Sequence, residues 1–308
     1  MTILRSAKIL LASDLHGSNA CYSKLAMLAK RDRPDFVILA GDLSGKSVKV
    51  AKQIKSDEYE IVEEGRTRHL SSESFRARRR DWGSVGIYTV VFPINGDVSE
   101  TELRNLLARS KAQRITEWLD HWRLNVKTPL VVIPGNDDPP EVDAVLMSHD
   151  AVVNVDQRVV ALDGFTILGL GYSTPTPWKT YRELSDDEVG RRLRKLGGKV
   201  EDWRNTITVI HVPPRNSGLD NAEVEIGGGG LLGEIHERMA VGSEEVRTFA
   251  REFQPRLLVS GHCHDSRGFV WIGDTACVNA GSMFHAGQLA TAWIVLSEAR
   301  TTCQFRLL

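Results

Sequence analysis

The stretch FVILAGDLSGKS, residues 36–47, runs from an apolar segment into a loop and allows two interpretations. In the first, Ala40 stands where a phosphate-binding loop has its first glycine and GKS at 45–47 completes the motif, which predicts nucleotide binding. In the second, Asp42 is a carboxylate at the end of a strand, which is typical of a metal ligand, and residues 45–47 simply start the next helix. The remainder of the sequence has to decide between them.

The bulk composition is that of an ordinary globular protein. The chain has 308 residues, enough for one large α/β domain or two small ones. It carries 39 Lys and Arg against 40 Asp and Glu, so its formal net charge of -1 gives no general attraction to nucleic acid or to an anionic membrane. Any such binding requires a local patch.

The cysteines and the apolar runs bear on location. The four cysteines form no C-x-x-C pair, which favours a reducing compartment, so we expect a cytoplasmic protein. The N-terminal apolar run is too short to span a membrane and leads directly into SDLHG at 13–17. We therefore interpret it as the first strand and not as a signal peptide. No later segment reaches transmembrane length.

Short apolar runs alternate with helical spacing in the first half of the chain, and hairpins follow in the second half. The predicted strands are 7–12, 36–40, 129–133, 206–211 and 256–260, and the predicted hairpins are 159–171, 268–281 and 290–308. The predicted helices are 18–31, 100–124, 182–196 and 243–253. This order indicates a layered α/β sandwich with mixed sheets, in a single domain over 1–308.

The region at about 55–95 does not fit a plain strand–helix repeat, and we interpret it as a charged insertion. Residues 58–70 look like an exposed hairpin, and RARRRDWG at 76–83 is a basic run. We expect that run to form a solvated face. A nucleic-acid contact is the alternative, but it is disfavoured because aromatic residues are not interleaved through the run. GGGG at 227–230 is predicted to be a flexible loop tip.

Five of the apolar strands are followed by side chains of the metal-ligand type. They are Asp14 and His16, then Asp42, then Asn136 with Asp137 and Asp138, then His211, and finally His262 with His264. Taken singly, each has a structural explanation, such as a helix cap or a turn residue. Five in succession favour a functional site, because sites in open α/β sheets form at the carboxyl ends of strands.

Spacing and residue type add to this prediction. Asp14 and His16 lie two residues apart in a segment that we take to be extended, so both should point to one face, and the same holds for His262 and His264. Cys263 would then point away and serve in packing. A set of His, Asp and Asn ligands suits manganese, iron, zinc or nickel.

The number of ligands predicts two metal ions. Seven side chains are more than one ion with imidazole ligands uses, whereas two ions sharing a bridging carboxylate would use them. Two ions about 3.5–4 Å apart can stabilise both oxygens of a phosphoryl displacement and supply a bridging hydroxide as the nucleophile. The seven expected ligands are Asp14, His16, Asp42, Asn136, His211, His262 and His264.

The ordered motifs SDLHG, GD, PGND, H and GHCH, between residues 13 and 264, resemble those of the calcineurin-like metallophosphoesterase superfamily. The segments HVPPRNSGLD, GHCHDSRG and CVNAGS are similar to the branch related to bacterial cyclic-nucleotide phosphodiesterases. The resemblance implies a four-layer αββα sandwich of two mixed sheets, of the metallo-dependent phosphatase type. It also implies hydrolysis of a small phosphomonoester or phosphodiester substrate, commonly with manganese.

The resemblance also implies how the ligands divide. Asp14, His16, Asp42 and His264 would hold the first metal, with Asp42 bridging, and Asn136, His211 and His262 would complete the second. Many family members have a histidine after the asparagine, where it is thought to protonate the leaving group. Here that position is Asp137, so Asn136 and Asp137 are the expected catalytic residues.

Two other functions remain as alternatives. A non-catalytic scaffold that retains the metal site is one, because the usual histidine is missing at Asp137. A nucleotide-binding protein built on the loop at 40–47 is the other, but it leaves the histidines unexplained.

Overall fold

The computed structural model describes residues 4–93, 99–228 and 234–308. The fold is mixed α/β, with two large mixed sheets. The first sheet has six strands in the order β18-β17-β1-β2-β7-β8. Its strands are β1 (Ala7–Ala12), β2 (Phe36–Ala40), β7 (Leu130–Ile133), β8 (Val152–Asn154), β17 (Ala290–Leu296) and β18 (Thr301–Leu307). The first four are parallel, and the last two form an antiparallel hairpin at one edge.

The second sheet also has six strands, in the order β15-β16-β14-β11-β10-β9. Its strands are β9 (Val159–Leu162), β10 (Phe165–Leu170), β11 (Thr206–Ile210), β14 (Leu257–Ser260), β15 (Gly268–Ile272) and β16 (Thr275–Asn279). The predicted turn at Asp163-Gly164 joins β9 to β10, and both residues have positive φ (48° and 80°), as a tight hairpin turn requires.

Two smaller sheets complete the described strands. A four-stranded sheet in the order β5-β4-β3-β6 consists of β3 (Val48–Lys55), β4 (Glu58–Glu63), β5 (Arg66–Ser71) and β6 (Tyr88–Pro93). The exposed hairpin predicted at 58–70 corresponds to β4 and β5. A two-stranded sheet consists of β12 (Asn221–Gly228) and β13 (Glu234–Ala240). The first two glycines of GGGG thus lie in β12, not in a loop tip, and Gly229 and Gly230 lie outside the described residues.

The helices are α1 (Asn19–Asp32), α2 (Ser72–Ser84), α3 (Glu100–Asn125), α4 (Pro140–Ser148), α5 (Asp186–Gly197) and α6 (Glu244–Phe253). Five begin after a serine N-cap, whose hydroxyl accepts a hydrogen bond from a backbone N–H of the first turn. Within the described residues, no helix is long and apolar enough to cross a membrane.

Two local predictions were wrong. The helix predicted at 182–196 begins only at Asp186, because Ser185 caps it and Arg182 is engaged with Asp143 and Asp156. Residues 45–47 lead into the strand β3 and not into a helix. A phosphate-binding loop needs a helix amino terminus directly after the GKS, so the interpretation of this stretch as a nucleotide site loses its physical basis.

Apolar residues cover both faces of the two large sheets. Along β1, Leu10 and Ala12 join a cluster with α1, α3 and α4, whereas Ile9 and Leu11 join a cluster with residues of the second sheet. This alternation follows from the two-residue period of a strand. A third cluster joins the second sheet to α5 and α6. The central strands β2 and β7 are apolar throughout because both of their faces are buried.

Candidate metal centre

Three candidate ligands of the first sheet lie in the loops that follow β1 and β2. These loops continue the pairing of their strands, since Asp14 N–H donates to Gly41 O (3.0 Å) and His16 N–H to Asp42 O (3.0 Å). The backbone is not extended as we assumed, because Asp14, His16 and Asp42 have φ of 54°, 45° and 48°. Non-glycine residues with positive φ are uncommon, and such strained conformations cluster at functional sites.

Glycines let these loops approach the opposite sheet closely. A Cβ on Gly41, whose φ is +99°, would lie 2.3 Å from Nδ1 of His211. A Cβ on Gly261 would overlap Ser13 and lie 2.5 Å from Oδ2 of Asp14. The glycines in AGD and SGH are therefore required for the close packing of strand ends from the two sheets.

The carboxylates of Asp14 and Asp42 are buried and lie among imidazole rings. Oδ2 of Asp42 lies 3.5 Å from His211 Nε2 and 3.8 Å from His16 Nε2. Asp14 Oδ1 lies 3.6 Å from His264 Nε2. Both oxygens of Asp14 also accept from the backbone N–H of His262, at 3.1 Å, which fixes the orientation of that carboxylate.

The imidazole nitrogens face one another and a shared amide oxygen. His16 Nε2 and His264 Nε2 are 2.9 Å apart. His211 Nε2 and His262 Nδ1 lie 3.0 and 2.7 Å from the same oxygen, Asn136 Oδ1. Lone-pair atoms that converge in this way are arranged as ligands around a cation, and the donor set of imidazole, carboxylate and amide oxygen fits a first-row metal.

Three overlapping groups have ligand atoms that lie within 4.8 Å of one another. They are Asp14 with His16 and His264, Asp14 with Asp42 and His211, and His16 with Asp42 and Asp137. The structure thus brings together six side chains from five strand ends. Asn136 and His262 lie beside these six side chains and contact each other through Asn136 Oδ1 and His262 Nδ1. His262 is nevertheless in none of the three groups.

Hydrogen bonds behind the centre hold it in place. Nδ1 of His211 lies 2.8 Å from Ala40 O and donates its proton to that carbonyl, which turns Nε2 toward the centre. Buried Asp138 accepts from the backbone N–H groups of Gly135, Leu43 and Ser44 at 2.7–3.0 Å. It therefore joins the loop after β7 to the loop after β2.

Burial and neighbouring charges shift the ionisation of the cluster. Burial lowers the pKa of His16 and of His262 to about 4, which keeps both rings neutral. Burial opposes the charge of His211 too, but the carboxylate of Asp42 outweighs it and raises the pKa of His211 to about 9. Burial and then the charge of Asp42 raise the pKa of Asp137 to about 7.

Some residues beside the cluster were missed by sequence reasoning. Lys46 Nζ lies 3.0 Å from Asp137 Oδ1 and 4.7 Å from the centre of the Trp178 ring. The buried Lys111 ammonium donates to the carbonyl of Asp137 (3.3 Å). Thr180 accepts from the Asn136 amide (3.0 Å). Only Lys46 carried a signal in the sequence, and the phosphate-loop interpretation assigned it a different role.

The chain resembles known proteins in sequence and in structure, although no family model matches it. It is 31% identical over 152 residues to uncharacterized protein MJ1162 of Methanocaldococcus jannaschii, covering 49% of this chain and 62% of that protein. It therefore spans less than two thirds of that relative. It is 23% identical over 204 residues to a probable cyclic nucleotide phosphodiesterase of Synechococcus sp., covering 65% of this chain and 68% of that protein.

Solved structures share the fold. TT1561 of Thermus thermophilus matches with a TM-score of 0.51 and 16% identity, covering 97% of this chain and 99% of that one. These comparisons agree with the resemblance predicted from the motifs: the chain is similar in sequence to a probable cyclic nucleotide phosphodiesterase and in fold to TT1561. The chain is thus a mixed α/β protein whose Asp/His cluster is a candidate metal-binding centre.

Proposed function

We propose that the chain is a metal-dependent phosphoesterase whose active site is the Asp/His cluster. The observation that carries this proposal is the convergence of ligand atoms from five strand ends of two sheets in overlapping groups within 4.8 Å. Asp14, His16 and Asp42 each belong to two of the three groups. This sharing suits two neighbouring ions better than one, because a shared carboxylate can bridge two ions.

In this proposal the ligands divide as the motifs imply. Asp14, His16, Asp42 and His264 would hold one ion, and Asn136, His211 and His262, together with Asp42, would hold the other. Bound ions would supply Lewis acidity, which neutralises phosphate charge and lowers the pKa of water at the site. Manganese is the proposed metal, and iron, zinc and nickel suit the same ligands.

The residues at the edge of the cluster would act on the substrate directly. Asp137 is 4% exposed and lies 3.6 Å from His16 Nδ1, so we propose that it protonates the leaving oxygen in place of the usual histidine. The Lys46 ammonium, 3.0 Å from Asp137, would neutralise charge on the phosphate. Asn136, held by Thr180, would orient a phosphate oxygen.

The neighbouring loop supports a small organic phosphate as the substrate. Trp178 and Tyr181 are 70% and 55% exposed, although both are large aromatics, and both lie beside lysines of the site. An exposed ring next to a phosphate position suits the apolar or aromatic part of an ester. The Synechococcus relative is called a probable cyclic nucleotide phosphodiesterase, which favours a phosphodiester over a phosphomonoester.

We also propose the four-layer αββα arrangement and a single domain with an insertion at about 55–95. One apolar cluster joins the two large sheets, and each sheet has a second cluster with helices on its other face, which supports the four layers. A separate sheet over Val48–Pro93 supports the insertion.

The decisive experiment is a hydrolysis panel with chelator-treated protein. A phosphodiester and a phosphomonoester of the same nitrophenol are offered with manganese, nickel, magnesium and zinc in turn. The proposal predicts turnover that depends on added metal, with the diester cleaved faster. Metal binding without turnover on either ester, with any of the four metals, would instead identify a non-catalytic scaffold.

A further inference from the structure

The basic run of the insertion lies on α2, and the helical period divides its arginines between two sides. Arg76, Arg79 and Arg80 are spaced three and four residues apart and therefore share one side. Arg78 lies away from them and pairs with Glu63 of β4, with 3.4 Å between Nη2 and Oε2. The run is therefore not a uniform solvated face.

The side with Arg76, Arg79 and Arg80 borders a cleft between α2 and α3 with a volume of about 400 Å³. Arg114 of α3 contributes a fourth guanidinium group to the lining. Its Nη1 donates to Gly17 O (2.7 Å), and its guanidinium lies 3.9 Å from the centre of the buried Tyr88 ring. The polar groups between the arginines belong to Asn19, Thr89, Ser110 and Gln113.

The positive charge of this cleft is poorly neutralised. Among the described residues that line it, the single carboxylate is that of Glu117, which accepts a hydrogen bond from Gln113 (2.9 Å). Within the described part of the chain, Arg76, Arg79 and Arg80 form no ion pair with a carboxylate. Burial lowers the pKa of Arg114; Tyr88 and the Glu117 carboxylate oppose this shift, and the like charge of Arg79 adds to it.

We propose that this cleft binds a small phosphate-bearing anion at a site separate from the Asp/His cluster. Guanidinium groups bind phosphate oxygens in pairs of parallel hydrogen bonds, and four of them line this cleft. The volume is in the range of small-molecule sites. None of the lining residues belongs to the candidate metal centre.

The cleft suits a small anion better than a nucleic-acid strand. Single-strand sites stack successive bases on exposed aromatic rings. The aromatic ring that lines this cleft, Tyr88, is 1% exposed and covered by Arg114. A compact ligand such as a diphosphate can bind guanidinium groups of this lining without a stacking surface.

The test is calorimetric titration of metal-free protein, in the presence of chelator, with inorganic pyrophosphate. The variant Arg76→Ala/Arg80→Ala removes two exposed cleft arginines, and Arg78→Ala is the matched control from the same helix. Arg114 is left intact because it also holds the loop at Gly17. We expect one saturable site, weakened about tenfold or more in the double variant and unchanged in the control.

Three results would overturn the proposal. Equal weakening by Arg78→Ala would mean general attraction to a basic surface, and absence of saturable binding would mean that the cleft is no anion site. Binding of a short single-stranded RNA without binding of pyrophosphate would assign the basic side of α2 to nucleic acid. Arg80→Glu serves as a second variant if the double variant is poorly folded, and it should abolish pyrophosphate binding.

Discussion

Four residues of the proposed active site have an unusual backbone. Asp14, His16, Asp42 and His262 have φ between 45° and 66°, where non-glycine residues pay a conformational cost. Hydrogen bonds between the loops hold them there, such as His16 N–H to Asp42 O. The sequence motifs predicted that these residues belong to one site. The argument from their spacing, however, assumed an extended backbone. The side chains converge because the loop backbone has positive φ at these residues, not because residues two apart in an extended strand share a face.

The first residue-scale prediction concerns Gly41. Gly41→Ala combines a positive φ of +99° with a Cβ only 2.3 Å from His211 Nδ1. Gly65→Ala is the matched control, since Gly65 has φ +73° and no heavy atom within 4 Å. We expect the control to lose about 1 kcal/mol of unfolding free energy and Gly41→Ala about 3 kcal/mol or more, measured by urea unfolding. Equal losses would show that His211 is not tightly packed against this loop.

The second residue-scale prediction concerns the role of Asp137. If Asp137 protonates the leaving oxygen, Asp137→Asn should lower kcat about 100-fold on an alkyl ester but much less on a nitrophenyl ester, whose leaving group needs no proton. The metal content should stay at the wild-type level. Equal losses on both esters together with loss of metal would instead make Asp137 a ligand, as its group with His16 and Asp42 permits.

At the scale of elements, the site depends on where strands end. Neighbouring strands β1, β2 and β7 lead into proposed ligands from one sheet, and β11 and β14 lead into proposed ligands from the other. Their apolar sequences made these strands predictable. Local patterns did not reveal that residues 45–47 precede a strand, or that Arg182 stays outside α5. Arg182 is held by Asp143 and Asp156, which are distant in sequence, and long-range contacts leave no local signature.

The element-scale prediction tests the link between two strand ends. Asp138 is fully buried and accepts from three backbone N–H groups and from the Ser44 hydroxyl. Asp138→Ala leaves these donors without a partner, so we expect a loss of about 3–5 kcal/mol in unfolding free energy and weaker metal binding. Asp143→Ala, on the nearby helix α4, is the control for metal binding, which it should leave unchanged. Retained stability in Asp138→Ala would contradict the bracing role.

At the scale of the molecule, the four-stranded sheet has an apolar cluster of its own. Ala51, Ile61, Phe75 and Trp82 pack together, apart from the three clusters of the large sheets. The sequence predicted an irregular charged region here, and its exposed hairpin was found. Its internal core was not predicted, because buried residues so widely spread along the chain give no periodic signal. Lys46 and Trp178 were missed as neighbours for a similar reason, since they are distant in sequence.

This separation predicts how the two regions unfold. Ile61→Ala should remove about 2–4 kcal/mol from the small sheet and speed amide hydrogen exchange in β3–β6. Ile38→Ala, in the cluster between the two large sheets, should instead speed exchange throughout the described strands of both large sheets. If Ile61→Ala speeds exchange in β2 and β11 as strongly as in β4, the insertion is not a separate cooperative unit.

The central claim is that a shared carboxylate holds metal ions that are needed for hydrolysis. Its most direct test compares wild type with Asp42→Asn after chelator treatment and reloading with manganese, measuring bound metal per chain and hydrolysis of a nitrophenyl phosphodiester. We predict about two ions and restored turnover in the wild type, and fewer ions with activity lowered at least about 1000-fold in the variant. Full activity in Asp42→Asn, or wild-type hydrolysis that persists without metal, would contradict the account.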